Sequence, residues 1–227
     1  MILPPQALSN LKLPVVLTKA QVVERLNAVP GFILVNPMGN ALTAKGNEEK
    51  ARPSVGVFLR QKGATDFLAN LKKRDASLTE GLKLKVVGLG ELYQRASNPQ
   101  EGIALAFVPD PAEMEQARQL LKQQGKPETI AGVPLFMGEL TGKGLLNITQ
   151  NGKTIVPAFF SLADLTSLLE RYNKSRPEGS PEARPVLTTL EFLVDSWQKT
   201  PDPGLMQIYP VAPKLAFDEA KAVTGGS

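Results

Sequence analysis

The side chains that most often carry out chemistry in proteins are missing from this chain of 227 residues, which has no cysteine and no histidine. Without cysteine there is no disulfide, thiol nucleophile or zinc–thiolate site. Without histidine the chain lacks the commonest general base and transition-metal ligand, and a Ser-His-Asp triad is impossible. We therefore expect a non-enzymatic protein with no metal and no cofactor, although carboxylate or lysine chemistry stays open.

Two glycine motifs resemble phosphate-binding loops, and neither is complete. Gly142-Lys143 lacks the first P-loop glycine, since Met137 stands there, and Gly144 replaces the Ser or Thr that would bind magnesium. Gly88-Leu89-Gly90 lacks the third glycine of the dinucleotide-binding motif. We interpret the first motif as a tight hairpin turn and the second as a strand-to-helix turn.

Glu91 and Glu191 are acidic residues in two corresponding predicted helices, one residue apart in register. A pair of carboxylates could provide a general acid and a general base. We interpret these two instead as part of a solvated helix face or as capping residues.

Basic residues are concentrated between positions 41 and 85, where ten Lys or Arg stand against five Asp or Glu. This segment is either a solvated face or a docking surface for an anionic membrane or an acidic partner. Nucleic acid is not an expected partner, because aromatic residues are not interleaved with the basic ones. No apolar run approaches the roughly 18 residues needed to cross a membrane, and no signal peptide is visible.

The helix patterns of the chain repeat after 101 residues. The apolar stripe Ala64, Phe67, Leu68 and Leu71 returns as Leu165, Leu168, Leu169 and Tyr172, and the stripe Leu89, Leu92, Tyr93 and Ala96 returns as Leu190, Leu193, Val194 and Trp197. A period this long indicates a domain-scale duplication. We predict one fused domain of residues 1–227 with two pseudo-symmetric halves, repeats of about 15–109 and 110–213, and a flexible tail at 214–227.

Each repeat shows the order helix, strands, helix, strand, helix, strand, which predicts an α/β (mixed α+β) fold with a mixed sheet and flanking helices in each half. Asn151-Gly152 predicts a type I′ hairpin. Capping boxes predict helix starts at Thr18, Asp110 and Thr188, whose partners three residues on are Gln21, Glu113 and Glu191. The polar segment 173–185 is predicted to be a mobile loop.

Several short strings occur in a characteristic order between about residues 14 and 213: Val29-Pro30-Gly31-Phe32, Asn36-Pro37-Met38-Gly39, Gly88-Leu89-Gly90-Glu91-Leu92-Tyr93, Phe107-Val108-Pro109, Gly132-Val133-Pro134-Leu135-Phe136, Pro157-Ala158-Phe159-Phe160 and Ile208-Tyr209-Pro210. In their order and spacing they resemble the Tic22-like family, the twenty-two-kilodalton components of the chloroplast envelope import system and their cyanobacterial relatives. That family has no known catalytic site, which agrees with the missing histidine and cysteine.

The resemblance implies a soluble protein of the periplasm in cyanobacteria or of the intermembrane space of the plastid envelope. It implies a chaperone-like role toward precursors or outer-membrane proteins in transit, and a precursor form whose targeting segment is absent from this chain. It does not identify the clients, and it leaves open whether the source is a cyanobacterium or a plastid.

A holding chaperone needs an exposed apolar surface, and apolar side chains on the predicted central strands could floor such grooves. The candidates are Phe32, Phe58, Leu59, Phe107, Phe136, Phe159, Phe160 and Tyr209. The same side chains also fit a plain core. The alternative function is a non-catalytic scaffolding adaptor that docks on translocon or membrane components through the basic surface of residues 41–85.

Overall fold

The computed structural model describes residues 16–45 and 51–225. The opening Met1–Pro5 and positions 46–50 of the basic segment lie outside this part of the chain. The helices of the described residues are α1 (Lys19–Asn27), α2 (Gln61–Arg74), α3 (Leu89–Ala96), α4 (Pro111–Gln123), α5 (Leu162–Ser175), α6 (Leu190–Lys199) and α7 (Lys214–Gly225).

The strands form two mixed sheets, one in each half of the chain. Sheet A contains β1 (Pro30–Val35), β2 (Thr43–Ala44), β3 (Ser54–Phe58), β4 (Lys83–Gly88) and β5 (Ala104–Val108). Sheet B contains β6 (Pro134–Leu140), β7 (Gly144–Leu145), β8 (Ile148–Gln150), β9 (Lys153–Phe159), β10 (Ala183–Thr189) and β11 (Ile208–Val211).

The two sheets have the same connectivity. In sheet A, β1 runs antiparallel to both β3 and β4, and β5 runs parallel to β3. In sheet B, β6 runs antiparallel to both β9 and β10, and β11 runs parallel to β9. The mixed α/β fold with a mixed sheet in each half is therefore confirmed, while the two-fold rotation between the halves stays a prediction.

The offset between the halves is not constant along the chain. Phe32 lies opposite Phe58 in sheet A and Phe136 lies opposite Phe159 in sheet B, so the offset is 101 for β3 and β9 but 104 for β1 and β6. The first residues of α3 and α6 give the same two offsets. Leu89 donates to the Val29 carbonyl and Leu190 to the Val133 carbonyl, so the donors are 101 residues apart and the acceptors 104. The matches of Gly31 with Gly132 and Leu34 with Leu135 are thus three residues out of register.

The core has a central part and two outer parts. The central part combines one face of each sheet with α1, α3 and α6, and it encloses the fully buried Trp197. The outer face of sheet B packs Phe136 against α4 and α5. The outer face of sheet A packs Phe32 and Phe58 against α2 and α7. Both faces of the central strands are therefore covered, as their continuous apolar runs predict.

Each half of the chain supplies a helix to the other half's sheet. Helix α4 follows β5 of sheet A, yet its Ala117 and Leu120 pack on the outer face of sheet B. Helix α7 follows β11 of sheet B, yet its Ala216, Ala220 and Val223 pack on the outer face of sheet A. We infer that α7 is the counterpart of α4, since each helix begins three residues after its preceding strand ends.

This exchange changes the expected boundaries. The segment 214–227 was predicted to be a flexible tail, but residues 214–225 form α7 and Ala216 is completely buried. Within Lys214–Gly225, the small apolar residues Ala216, Ala220 and Val223 recur at helical spacing and form the face that packs against sheet A. Repeats of about 29–124 and 133–225, with α1 as an additional helix, fit the contacts better than repeats of 15–109 and 110–213.

Three local predictions are corrected by the structure, and several are confirmed. The segment 173–185 does not end as a loop, because β10 begins at Ala183, whose N–H and C=O bond to the side chain of Asn173. Helix α6 begins after Thr189 rather than Thr188. The Glu113 side chain forms no capping box with Asp110 and instead accepts from the Leu162 N–H.

The hairpin and the first capping box follow the sequence prediction. Asn151 and Gly152 both have positive φ, of 50° and 74°, as a type I′ turn between β8 and β9 requires. Thr18 accepts from the Gln21 N–H, and the Gln21 side chain accepts from the Thr18 N–H.

Candidate functional site

Five of the eight candidate groove residues lie in the core. Phe32, Phe58, Leu59, Phe136 and Phe160 each expose 4% of their surface or less. The helices on the outer faces of the sheets and the central layer of helices cover them, so they offer no surface to a client in this conformation. Phe107, Phe159 and Tyr209 are half-buried.

Of these three, Phe107 lines an open cleft. This α3–α6 cleft lies between α3 and α6, is floored by β5, and has a volume of about 360 Å³. Its apolar lining is Leu26, Tyr93, Ala96, Ile103, Leu105, Phe107, Leu190 and Val194. Its polar lining includes Glu191 and Asp195 on α6, and Arg52. An apolar floor with a polar rim is the arrangement expected of a surface that binds apolar segments.

Buried residues hold the two helices that form the walls of the cleft. Leu89 and Leu190, the first residues of α3 and α6, are completely buried. Trp197 fixes α6 further along, because its indole N–H donates to the Leu205 carbonyl over 2.9 Å. Glu191 is exposed at the cleft, and its carboxylate accepts from the Val133 N–H over 2.9 Å. Glu191 therefore holds the residue that precedes β6 and does not form the predicted capping box with Thr188, because Thr189 caps α6.

A second cleft lies on the other side of Tyr93. This α1–α3 cleft has a volume of about 470 Å³. Its lining includes Ala20 and Val23 of α1, Tyr93 and Gln94 of α3, and Ser97, which follows α3. Tyr93 and Ser97 are shared by both clefts. The two clefts therefore meet at Tyr93 and Ser97.

The remaining charged cluster stabilises the fold. Arg60 binds Glu219 of α7 through two nitrogens, with Nε–Oε2 and Nη2–Oε1 distances of 3.0 and 2.8 Å, and Glu219 also accepts from the Gln61 N–H. Burial raises the pKa of Glu219, but the hydrogen bonds from Arg60 and Gln61 outweigh it and lower the pKa. Burial raises the pKa of Glu113, which caps α5. These carboxylates join each exchanged helix to the start of α2 or α5.

The basic residues of the described part of segment 41–85 are spread over several elements. Lys72, Lys73 and Arg74 end α2, where positive charge is favourable to the helix dipole. Lys83 and Lys85 are exposed on β4, an edge strand of sheet A, and edge lysines discourage pairing with other chains. Both placements have a structural explanation that needs no partner.

Between residues 16 and 45 and between 51 and 225, no cluster of three or more acidic side chains could hold a metal ion. None of the helices in the same ranges is both long and apolar enough to cross a membrane.

A family model decides the family. The model of the Tic22-like family matches residues 5–210. The chain belongs to the Tic22-like family. Two curated relatives are similar to it: "Protein TIC 22, chloroplastic" of Arabidopsis thaliana, 30% identical over 54% of this chain and 42% of the relative, and the Pisum sativum protein of the same name, 29% identical over 62% and 52%.

Two solved structures share the Tic22-like fold. The structure described as "Anabaena Tic22 (protein transport)" has a TM-score of 0.76 at 22% identity, covering 91% of this chain and 97% of that one. Tic22 from Plasmodium falciparum has a TM-score of 0.71 at 19% identity, covering 91% and 98%. Identities this low show the fold alone. The chain also spans only about half the length of the curated relatives.

Sequence reasoning found Phe107 but missed most of the α3–α6 cleft. Tyr93, Ala96 and Val194 belong to the apolar stripes that predict the helices, and an apolar stripe does not by itself indicate which of its residues line a cleft. The width of the apolar stripe on α3 was a signal for the cleft. Leu89 and Leu92 already fill the buried positions of this short helix, so Tyr93 and Ala96 lie at the edge of its buried face.

Proposed function

We propose that this protein is a holding factor in protein transport that binds apolar segments of unfolded precursors or outer-membrane proteins in the α3–α6 cleft. The observation that carries the proposal is the cleft itself, which has a volume of about 360 Å³, an apolar floor and charged side chains at its rim. Membership of the Tic22-like family, and the description of the Anabaena relative as a protein of protein transport, support this role.

Weak, reversible binding is what such a factor requires. Burying one large apolar side chain of a client contributes about 1.5 to 3 kcal/mol, and ordering the client offsets part of that gain. We propose binding in the micromolar range without ATP, in the periplasm or in the intermembrane space of the plastid envelope. The absence of cysteine and histidine supports a role without catalysis.

The experiment is a client-aggregation assay with cleft variants. Ala96→Trp fills the cleft and Val194→Glu places a charge in it; both residues are half-buried at its wall. We expect the wild type to suppress aggregation of an unfolded outer-membrane protein and both variants to lose most of that activity. Leu78→Glu, an exposed apolar residue outside the cleft, serves as the matched control. Melting temperatures measured beside the assay separate lost binding from unfolding.

If the folded wild type leaves aggregation unchanged, the holding role is excluded. The adaptor would then be the better proposal. Lys72, Lys73 and Arg74 at the end of α2, which also suit the helix dipole, are the exposed basic residues with which to test it. Replacing these three with Gln should abolish co-sedimentation with anionic vesicles. Because such an attraction is electrostatic, it should also vanish at high salt, where the Debye length falls to about 3 Å.

A further inference from the structure

The α3–α6 cleft has a counterpart in the other half of the molecule, and α1 fills that counterpart. The shared topology pairs α3 with α6 and β5 with β11. The cleft is lined mainly by α6, α3 and β5, with Leu26 contributed by α1. The counterparts of these elements in the other half are α3, α6 and β11. Helix α1 packs against these three elements, so it lies in the position that corresponds to the cleft.

Helix α1 occupies this position as a ligand would. Its Val22 and Leu26, four residues apart, are buried against the central core. Its Arg25 donates to the carbonyls of Met206 and Ile208 over 2.6 and 2.9 Å. The same guanidinium lies over the rings of Trp197 and Tyr209, 5.2 and 4.3 Å from their centres.

The open cleft matches an occupant of the same kind in length and charge, with one difference. Glu191 stands in α6 where α3 has Gly90, so the occupant lies farther from α6 than α1 lies from α3. Helix α1 has nine residues, and the walls of the cleft, α3 and α6, have eight and ten. At 1.5 Å per residue these lengths agree within about 3 Å. Glu191 and Asp195 lie one turn apart along the wall of α6, with Arg52 as the cation in the lining. The Asp195 carboxylate pairs with Lys199 of the same helix, and one oxygen of Glu191 accepts from the Val133 N–H. Because the Asp195–Lys199 pair is exposed and therefore weak, a basic side chain of the occupant can replace Lys199 there.

We propose that the α3–α6 cleft binds a client segment as a short amphipathic helix, with two apolar side chains four residues apart and basic side chains toward Glu191 and Asp195. This inference rests on the proposed holding function and specifies the form of its client. An occupant bound in extended form, and a second copy of this chain, are the alternatives that the experiment must exclude.

The probe is a fluorescein-labelled peptide of about twelve residues with Leu at i and i+4, Lys beside them, and a lactam that holds it helical. Its comparison peptide carries a central Pro instead. Fluorescence anisotropy with the full chain should show binding about tenfold tighter for the helical peptide, because the helical conformation is already formed. Equal or tighter binding of the Pro peptide would overturn the helical mode while the aggregation assay still supports the holding function.

Cleft variants locate the peptide. Ala96→Trp should abolish its binding, and Asp195→Lys should weaken it several-fold at low salt, with recovery when Glu replaces Lys in the peptide. Binding unaffected by Ala96→Trp would overturn the location, since the peptide would then have displaced α1 or bound elsewhere. Sedimentation tests the last alternative: a wild-type dimer that Ala96→Trp converts to a monomer would assign the cleft to a second copy and overturn the proposal.

Discussion

Glu219 and Glu113 cap equivalent helices, but their surroundings shift the carboxyl pKa in opposite directions. Glu219 has the partner Arg60, and its pKa is lowered despite burial. Its stabilising contribution is therefore complete above the pKa of an unfolded-state glutamate and is lost as the pH falls through the folded-state pKa. The pKa of Glu113 is raised chiefly by burial, so its contribution is complete at low pH and is lost as the pH rises through its folded-state pKa.

Replacing Glu219 with Gln should reduce the free energy of unfolding by about 1 to 3 kcal/mol at pH 7, because charge-assisted hydrogen bonds to Arg60 and the Gln61 N–H are lost. The difference from the wild type should narrow as the pH falls into the acid range where the wild-type carboxyl becomes protonated. Urea unfolding at several pH values measures this. The exposed Glu178→Gln is the control, and a difference that is the same at every pH would contradict the assigned role of charge.

At the scale of elements, α1 can pack closely on α3 because Gly90 has no side chain. A Cβ there would overlap the Val23 carbonyl oxygen and the Asn27 side chain of α1. At Gly63 in α2, a Cβ would meet only the Phe58 ring at an ordinary 3.5 Å. The same substitution should thus have opposite effects in the two helices.

Gly90→Ala should destabilise the protein by about 1 to 3 kcal/mol, because α1 must move away from α3. Gly63→Ala should stabilise it by up to about 1 kcal/mol through helix propensity. Thermal unfolding of both variants measures the contrast. If both substitutions stabilise, α1 does not pack on α3 as closely as the structure shows.

Helix α7 gives a second contrast within one element. Ala216 is completely buried against sheet A, whereas Ala222 is exposed on the same helix. Ala216→Asp should lower the free energy of unfolding by about 2 kcal/mol or more, since it buries an unpaired charge. Ala222→Asp should change it by about 0.5 kcal/mol or less. Similar small effects at both positions would mean that α7 is detached in solution.

Most elements could be predicted from the sequence because their signals are local. The Thr18 capping box, the Asn151-Gly152 turn and the stripe beginning at Leu89 each depend on residues within one or two turns. The destinations of α4 and α7 could not be predicted, because an apolar helix face does not specify which sheet it covers. Strand β10 was missed because Pro185 within it and the polar residues before it are untypical of a strand, which the Asn173 side chain and β6 hold in place.

The same limit applies to the candidate site. Alternation and apolar character identify Phe32 or Phe58 as inward-facing, but whether a helix closes over such a residue depends on long-range packing. Helices α2 and α7 close over these two, whereas no helix of the described residues fills the space beside Phe107. Core and cleft therefore differ by the path of the chain and not by residue type.

At the scale of the whole molecule, the exchanged helices and the shared central core join the two halves. Helix α4 begins in the first half and covers sheet B, α7 begins in the second and covers sheet A, and the central core draws side chains from both sheets. We predict that repeats 29–124 and 133–225 superpose by a rotation near two-fold. A crystal structure in which α4 and α7 fail to superpose would contradict the exchange.

Halves joined in this way should unfold together. The single tryptophan, Trp197, is completely buried in the central core, so its fluorescence reports on that core, while far-ultraviolet circular dichroism reports on helices throughout the chain. Both signals should follow one transition in urea with the same midpoint. Ala216→Asp, which lies on the outer face of sheet A, should shift the two midpoints equally, because loss of that face also releases the helix that anchors it to the second half. Two separated transitions, or a shift in the dichroism alone, would show instead that the halves are independent units and that the exchanged helices contribute little to their association.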